Sequence, residues 1–547
     1  MRVLPAGGRA LLIELAGLDE VLALLASLHA DPLPGVDDLI PAARTLALGY
    51  DPDVTGPGAI LAALAARDLD SPPPETGREV EIPVIYDGAD LDEVATLTGL
   101  TRTEVIARHT ATPWRAAFSG FAPGFCYLTG GDPLLLSVPR RASPRPSVPA
   151  GSVALAGGFS AVYPRQSPGG WQLIGTSPVG MWDIDRAPPA LLAPGDLVRF
   201  TRYAPRRASP KAAAPPPDPQ PATAPPTQPP ASLPAPLPGA SAQPATLPPS
   251  PPQARLDILA APFPALIQDG GRRGHAGQGV SVSGAADRGA WRALNRLLGN
   301  PSGTPALEII GGGLRLRATA PCTLAMTGAP RRITGAGGPL ASHTAFALNA
   351  GDEIEIGPPE AGVYGYLGAR GGFSVQPVLG SAARDTLAGI GPAPLTEGGW
   401  LGLAGQRARP LGPPICAPDL PRPGDLVWLD AIMGPRDDWF SASARAGFLA
   451  DEWRVTPQSS RIGKRLKGDR PLIRHQPREL PSEATTRGSI QIPHSGQPVL
   501  FLADPPLTGG YPVIATIAPH HLDLASQAPP GARLRFRPIP PPKGLPA

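Results

Sequence analysis

The stretch IQDGGRRGHAGQGVSVSGAAD, Ile267 to Asp287, sets Gln268, Asp269, Arg272, His275, Ser283 and Asp287 among closely spaced glycines. Glycines let main-chain N–H groups and short polar side chains approach an anion, and an arginine can grip a carboxylate through two parallel hydrogen bonds. The stretch therefore fits a backbone-lined anion or carboxylate pocket with Arg272 as the forked partner. The plainer alternative is that Asp269 and Arg272 staple a turn, and composition alone favours it. A second run, VTPQSSRIGKRLKG, offers Ser459, Arg461, Lys464 and Arg465. Several cations in one turn suit a phosphate or carboxylate, while a charge run taken alone reads as a solvated face. The same two readings apply to PRRASPRPSVPAGS, where Arg140, Arg141 and Arg145 precede Gly151 and Ser152. His109 stands alone before a strand, where a histidine is more often structural than a base.

Several chemistries are missing from the sequence. No G-x-x-x-x-G-K-[ST] phosphate loop, G-x-S-x-G elbow or HExxH pair occurs. The eight histidines do not cluster at metal-ligand spacing, so no metal site is expected; the adjacent His520 and His521 read as surface residues. Cys126, Cys322 and Cys416 are far apart and odd in number, which argues against a disulfide framework or zinc site and for a reducing cytoplasm. Net charge is +3 with no long basic run, giving no support for a nucleic-acid or membrane surface. The N-terminal MRVLPAGGRALLIELAG is interrupted by Arg9 and Glu14 and reads as a strand rather than a signal peptide. No apolar run is long enough for a membrane helix.

The elements that must position these residues fall into separate parts. A chain of 547 residues is too long for one compact domain. Residues 204–253 are proline- and alanine-rich without an aromatic residue, and are expected to be an extended, disordered tether. Before it, residues 1–80 mix strand runs such as ALLIEL with helical spacing at Leu18, Val21, Leu22, Leu25 and Leu28, a small α+β domain. Residues 81–203 and 254–541 are dominated by strand and turn signals, with a helix expected in ADRGAWRALNRLLG. The fold class is mainly β with α+β parts.

An internal repeat supports this division. AGSVALAG (150–157) matches RGSIQIPH (487–494), each followed by a Gly-Gly-aromatic element, PGGWQLIGTS or TGGYPVIATI, and then by PGDLVRF or PGARLRF. The Gly-Ser and Gly-Gly pairs lie 18 residues apart in one copy and 21 in the other. The ends of the two parts are thus the same kind of β module.

These residues also resemble a known family. GFAPGFCYL, PSVPAGSVALAGGFSAVYPRQSPGGWQLIGTSP and PGDLVRF resemble the subunit 1 type of the allophanate hydrolase and carboxyltransferase-domain family, which includes the B subunit of 5-oxoprolinase and kinase inhibitors of the KipI type. The 267–287 stretch, ALNRLLGNP, YLGARGGF, QSSRIGKRL, GSIQIPHSGQPVLFLAD and TGGYPVIATI resemble subunit 2, which includes the C subunit of 5-oxoprolinase. The resemblance covers nearly everything but the tether. It implies cyclophilin-like β-barrels in tandem, with residues 254–541 holding two halves, about 254–420 and 421–541. It also implies a hydrolase that opens 5-oxoproline to glutamate with ATP and Mg2+ and with a separate A-type 5-oxoprolinase protein as partner. The reaction needs an activated lactam carbonyl, cations on the developing charge and a proton carrier.

On that resemblance His109, Asp269, Arg272 and Glu308 are the catalytic candidates. Arg145, Ser152, Gly169, Gly170, Gln268, Ser283, Asp287, Ser459, Arg461, Arg465, Gln491, Gly509 and Gly510 are candidates for holding substrate or nucleotide. A homo-oligomer stays open. After Ser381 the sequence AARDTLAGIGPAPLTEGGW departs from the family's pattern. Two other readings remain: a carboxyltransferase component like that of urea amidolyase, acting on a urea-type substrate, although this chain has no biotin attachment site, and a kinase-inhibitory binding protein.

Overall fold

A computed structural model describes residues 1–69, 77–141, 143–204, 252–335, 337–476 and 480–545. The expected tether falls almost wholly on 205–251, outside the described residues. The chain forms two compact units. One gathers Met1–Glu75, Ala117–Phe125 and Ser241–Ala547; the other gathers Thr76–Ala116 and Cys126–Ala240. Mainly β architecture is observed, as the sequence patterning predicts, and no helix among the described residues is long and apolar enough to cross a membrane.

In the first unit, residues 1–69 make a four-stranded sheet in the order Arg2–Pro5, Ala10–Glu14, Thr45–Tyr50, Val36–Pro41. The helices Leu18–Ala30 and Pro57–Ala65 cover it, burying Val21, Leu24, Leu25, Leu28, Ile60 and Leu64 against Leu11, Ile13, Leu46 and Leu48. Val36–Pro41 pairs with Thr45–Tyr50 through a register shift between Val36 and Asp38. Such a bulge breaks the strict two-residue alternation of side chains.

Residues 255–402 of the same unit build a six-stranded and a five-stranded sheet around one core. The strand Leu314–Ala318 (LRLRA) alternates buried leucines with exposed arginines, as a strand with one solvated face must. The helix Arg288–Leu298 packs Trp291, Leu294, Leu297 and Leu298 against Ala325 and Tyr366. Asp287 caps its start, accepting from Ala290 N at 2.8 Å, and Gly299 ends it in the left-handed region.

Residues 426–539 close into a seven-stranded barrel. Its first strand, Leu426–Met433, pairs in parallel with its last, Arg533–Ile539. The second unit repeats this topology strand for strand. Glu79–Val84 pairs in parallel with Leu197–Arg202, Ser152–Ala156 pairs with Gln172–Thr176, and the Ile85–Thr176 bridge joins the sheet's two ends. The repeat is therefore a structural duplication.

The duplication explains His109. Its ring is buried, stacked on Phe200 at 4.3 Å, beside Trp114, whose indole N–H donates to His109 O at 3.1 Å. In the other copy Phe448 stacks on Phe536 at 4.7 Å, beside Trp453, whose indole N–H donates to Phe448 O at 3.0 Å. His109 thus fills the place of a core phenylalanine, and burial pushes its imidazole down to about 3.

Candidate functional site

A cavity of about 270 Å³ opens inside the first unit. Its walls come from three segments far apart in sequence: the N-terminal sheet, the turn and helix 273–292, and residues 485–523. Five arginines line it, Arg9, Arg273, Arg288, Arg292 and Arg487, against three aspartates, Asp37, Asp38 and Asp523, leaving a formal excess of two positive charges. Such a concave, cation-rich surface concentrates small anions.

Each charge has a local reason for its place. Arg288 and Arg292 stand four residues apart on the helix, on one face, opposite the buried leucines. The bulge beside Val36 lets the consecutive Asp37 and Asp38 both line the cavity. Asp37 pairs with Arg273. Asp523 accepts from the N–H groups of Arg288 at 3.1 Å and Gly289 at 2.9 Å, and pairs with Arg487 at 3.2 Å. Asp38 makes no ion pair among the described residues; burial first, then the charge of Asp37, push its carboxyl up to about 6, with Arg273 and the N–H of Leu39 opposing.

Ser281 and Ser283 also line the cavity and connect it to a buried polar network. Ser281 Oγ donates to Asp385 Oδ2 at 2.8 Å, and Ser283 Oγ donates to Asp504 Oδ1 at 2.7 Å. Ser283 sits at φ 56°, a region non-glycine residues occupy at a cost, so the loop is held in a strained form at the cavity wall. Asp385 is pushed up to about 6 by burial and by the charge of Asp504. Burial opposes ionisation of Asp504 as well, but Arg461, Thr386 and Ser283 override it and hold that carboxyl below the usual range.

The structure brings several of the sequence candidates together and separates others. Arg461 joins Glu308 and Asp504, all fully buried, and also donates to Gly284 O at 2.6 Å. Glu308 accepts in addition from Ala286 N at 2.9 Å and Tyr366 Oη at 2.7 Å. Asp269 accepts from Gly271 N at 2.8 Å, Ser381 Oγ at 2.6 Å and Ala382 N at 2.7 Å, so it staples two loops. Arg272 points into carbonyls, donating to Ala383 O and, at 3.4 Å, to Val378 O, and it does not line the cavity. Gln268 donates to Arg384 O at 2.8 Å, and Asp287 caps its helix while accepting from Gln527 at 2.8 Å. The retained Ser381 is thus held by Asp269, whatever the divergence of the residues after it.

The remaining candidates lie elsewhere. Arg145 pairs with Asp90 at 2.6 Å, within the second unit, where Ser152, Gly169 and Gly170 also lie; Ser152 is buried at the start of its strand. Arg465 is exposed on its strand, and Ser459 Oγ donates to Thr456 O at 2.8 Å. Gln491 donates to Tyr511 O at 3.0 Å, next to Gly509 and Gly510. Asp430, itself buried, is already held by the exposed Arg537 at 2.6 Å and His520 at 2.9 Å.

Sequence reading does not find Asp38, Arg288, Arg487, Ser281, Asp385 or Asp504. Two signals were available. The like charges Arg288 and Arg292 one turn apart destabilise a helix and call for a compensating anion, and the adjacent Asp37 and Asp38 interrupt a strand.

Models of the carboxyltransferase domain match the chain twice: subdomains C and D over residues 1–192, and subdomains A and B over residues 278–538. The 5-oxoprolinase C subunit of Escherichia coli (strain K12) is 32% identical over 287 residues, covering 51% of this chain and 90% of that protein. The chain belongs to the carboxyltransferase-domain family. Within this family, the 5-oxoprolinase B subunit of Bacillus subtilis (strain 168) is 40% identical over 199 residues, covering 34% of this chain and 82% of that protein. The crystal structure of TTHA0988 is similar over 97% of this chain and 99% of that one, at 34% identity and a TM-score of 0.80. One carboxyltransferase-domain chain thus carries likenesses to two separate proteins.

Proposed function

We propose that this chain supplies in one polypeptide what the B and C subunits supply separately in an ATP-dependent 5-oxoprolinase, and that it opens the lactam of 5-oxoproline to glutamate together with a separate A-type protein. The double likeness carries the reading: one part of the chain is similar to a B-type 5-oxoprolinase protein and another to a C-type one, each over most of the relative's length. Three cysteines far apart in the sequence agree with a reducing cytoplasm.

Opening a lactam requires a more electrophilic carbonyl, delivery of water, and a proton on the ring nitrogen as the C–N bond breaks. ATP, with Mg2+, is the co-substrate that supplies activation. The arginine-lined cavity, about 270 Å³, lies just below the range of about 300–1,000 Å³ that drug-sized ligands occupy, so it suits a small acid. No residue of this chain is assigned to ATP. The chain's own residues can hold the acid and exchange protons. Asp38, its carboxyl pushed up to about 6, stands at the cavity wall, and Ser281 connects the cavity to Asp385.

The test mixes the purified chain with an A-type 5-oxoprolinase protein, ATP and 5-oxoproline, and measures glutamate and ADP. Glutamate should form only when all components are present. Absence of glutamate from correctly folded components rejects the reading.

A further inference from the structure

The arginines around the cavity are not equivalent. Arg273 is paired with Asp37. Arg487 is paired with Asp523 and donates to the carbonyls of Ala285 and Ala286. Arg9 and Arg292 are exposed and can be neutralised by solvent. Arg288 differs from all four in being half-buried while making no ion pair among the described residues. Its Nε, like that of Arg487, is buried without a hydrogen-bond partner among them, but where Arg487 is held through its other nitrogens, the Nη2 of Arg288 reaches Ser283 O at a long 3.4 Å. The carboxylate that favours its charge, Asp523, is spent on the main-chain N–H groups at the start of the helix and on Arg487.

A half-buried guanidinium whose Nε is shut off from water is costly in this state. An arginine keeps its charge throughout the working pH range, and its five N–H donors have a fixed fork geometry. Burial and the neighbouring Arg487, Arg273 and Arg292 push Arg288 down to about 9, with Asp523 opposing. A charged group held against its like, with one long hydrogen bond to a carbonyl and no ion pair among the described residues, is what a site looks like when its counter-ion is a ligand.

We propose that Arg288 is the anion clamp of this cavity, gripping the carboxylate or phosphoryl oxygens of a small organic acid. The long-range field comes from Arg9, Arg273, Arg292 and Arg487, and the directed hydrogen bonds come from Arg288. Ser283, strained at φ 56° and fixed by Asp504, positions the carbonyl that holds the guanidinium. Identifying the anion as the lactam acid rests on the function proposed above; the clamp itself rests on the cavity alone.

The test titrates the full-length chain by calorimetry with 5-oxoproline and, separately, with inorganic phosphate, using the native protein, Arg288→Gln and Arg288→Lys. Binding of either anion that weakens tenfold or more in Arg288→Gln, with partial recovery in Arg288→Lys, supports the clamp. Tighter binding of 5-oxoproline marks the carboxylate as the ligand group, and tighter binding of phosphate marks a phosphoryl group. Unchanged affinity in folded Arg288→Gln overturns the proposal, as does the absence of binding by both anions. Should the variant fail to fold, the native chain is treated with phenylglyoxal and mapped by mass spectrometry. Protection of Arg288 by the anion supports the clamp, and modification indifferent to the anion overturns it. Failure of glutamate formation while anions still bind at Arg288 rejects the 5-oxoprolinase reading and leaves the clamp standing. Glutamate formation with an unaltered KM in Arg288→Gln does the reverse.

Discussion

Arg461 meets Asp504 as a fork, Nε on Oδ2 at 3.0 Å and Nη2 on Oδ1 at 2.9 Å, with 2% and 0% of the two side chains exposed. The same guanidinium holds Glu308, on a strand of the neighbouring sheets, so one side chain ties the closed barrel to residues 255–402. Removing it strands two carboxylates in a dry interior. Arg461→Met is expected to cost about 3–5 kcal/mol of stability. Adding Glu308→Gln and Asp504→Asn to Arg461→Met should recover a large part of it. Thermal melts followed by circular dichroism give the comparison, and a melting point unchanged in Arg461→Met contradicts this account.

Asp38 lowers stability for the sake of its place in the cavity. Its carboxyl is raised from 3.8 to about 6, so the unfolded chain releases this proton first as pH rises. Stability from this group is therefore full below pH 4, falls between pH 4 and 6, and stays low above that. Asp38→Asn should match the native chain near pH 4 and exceed it by about 2–3 kcal/mol at pH 8. Anion affinity has the same origin. Native affinity should weaken as pH rises through 6, because the new charge joins Asp37 opposite Arg273, while Asp38→Asn should show a flatter profile. Equal denaturant midpoints for the two chains at pH 8 would count against the assignment.

His109 titrates in the opposite sense. Its folded value, about 3, lies below the ordinary 6.5, so the unfolded chain takes up the proton first on acidification. The stability it contributes is complete above pH 6.5 and is lost towards pH 3, by up to about 1.4 kcal/mol per pH unit. His109→Phe copies the other barrel. It should cost about 1–3 kcal/mol at neutral pH, because Tyr86 Oη and Ser160 Oγ lose their partner, and should remove that acid sensitivity. Catalytic rate should stay within a few-fold of native. A hundredfold loss of rate with an intact fold would place His109 in the chemistry.

Two glycines of one turn offer an internal control. Gly271 and Gly274 both have positive φ, 86° and 78°. A Cβ on Gly271 would lie 2.4 Å from Val282 O, whereas one on Gly274 would meet nothing within 4 Å. Gly274→Ala is expected to cost about 1 kcal/mol, from backbone strain alone. Gly271→Ala should cost well beyond that, because the clash is with main chain and moves Ser283. Equal losses in chemical denaturation would show that the close approach carries no weight.

Much of the fold was legible because it is written in periodic patterns. Alternation in LRLRA, the cap at Asp287, the stop at Gly299 and the repeated Gly-Ser and Gly-Gly elements all act locally or by duplication, and the observed strands follow them. The site was legible only in part. Asp269, Arg272 and Ser283 stood out as polar residues among glycines, Arg461 in a charge run and Glu308 through the family resemblance, and four of the five are occupied with holding loops and sheets together: Asp269, Arg272, Glu308 and Arg461. The cavity's charges come from segments hundreds of residues apart, such as Asp38 and Arg487, and spacing carries no information about that meeting. Asp504 gave no local signal, since a lone acid after an apolar strand is common. GFAPGF is instructive for the opposite reason. Its glycine at 120 is required because Thr508 Oγ1 would lie 2.4 Å from a Cβ there, a demand set by a residue far along the chain.

The first unit is assembled from chain on both sides of residues 205–251, with Phe121 N bonded to Thr508 Oγ1, Thr486 Oγ1 to Ala6 O, and Arg436 to both Glu14 and Glu483. Two genes encoding these parts separately would have to be expressed in balance, since an excess of either product would carry an incomplete cavity with unmatched charges. Joining them in one reading frame fixes the ratio at one to one during translation, and each ribosome that finishes the chain delivers every wall of the cavity together.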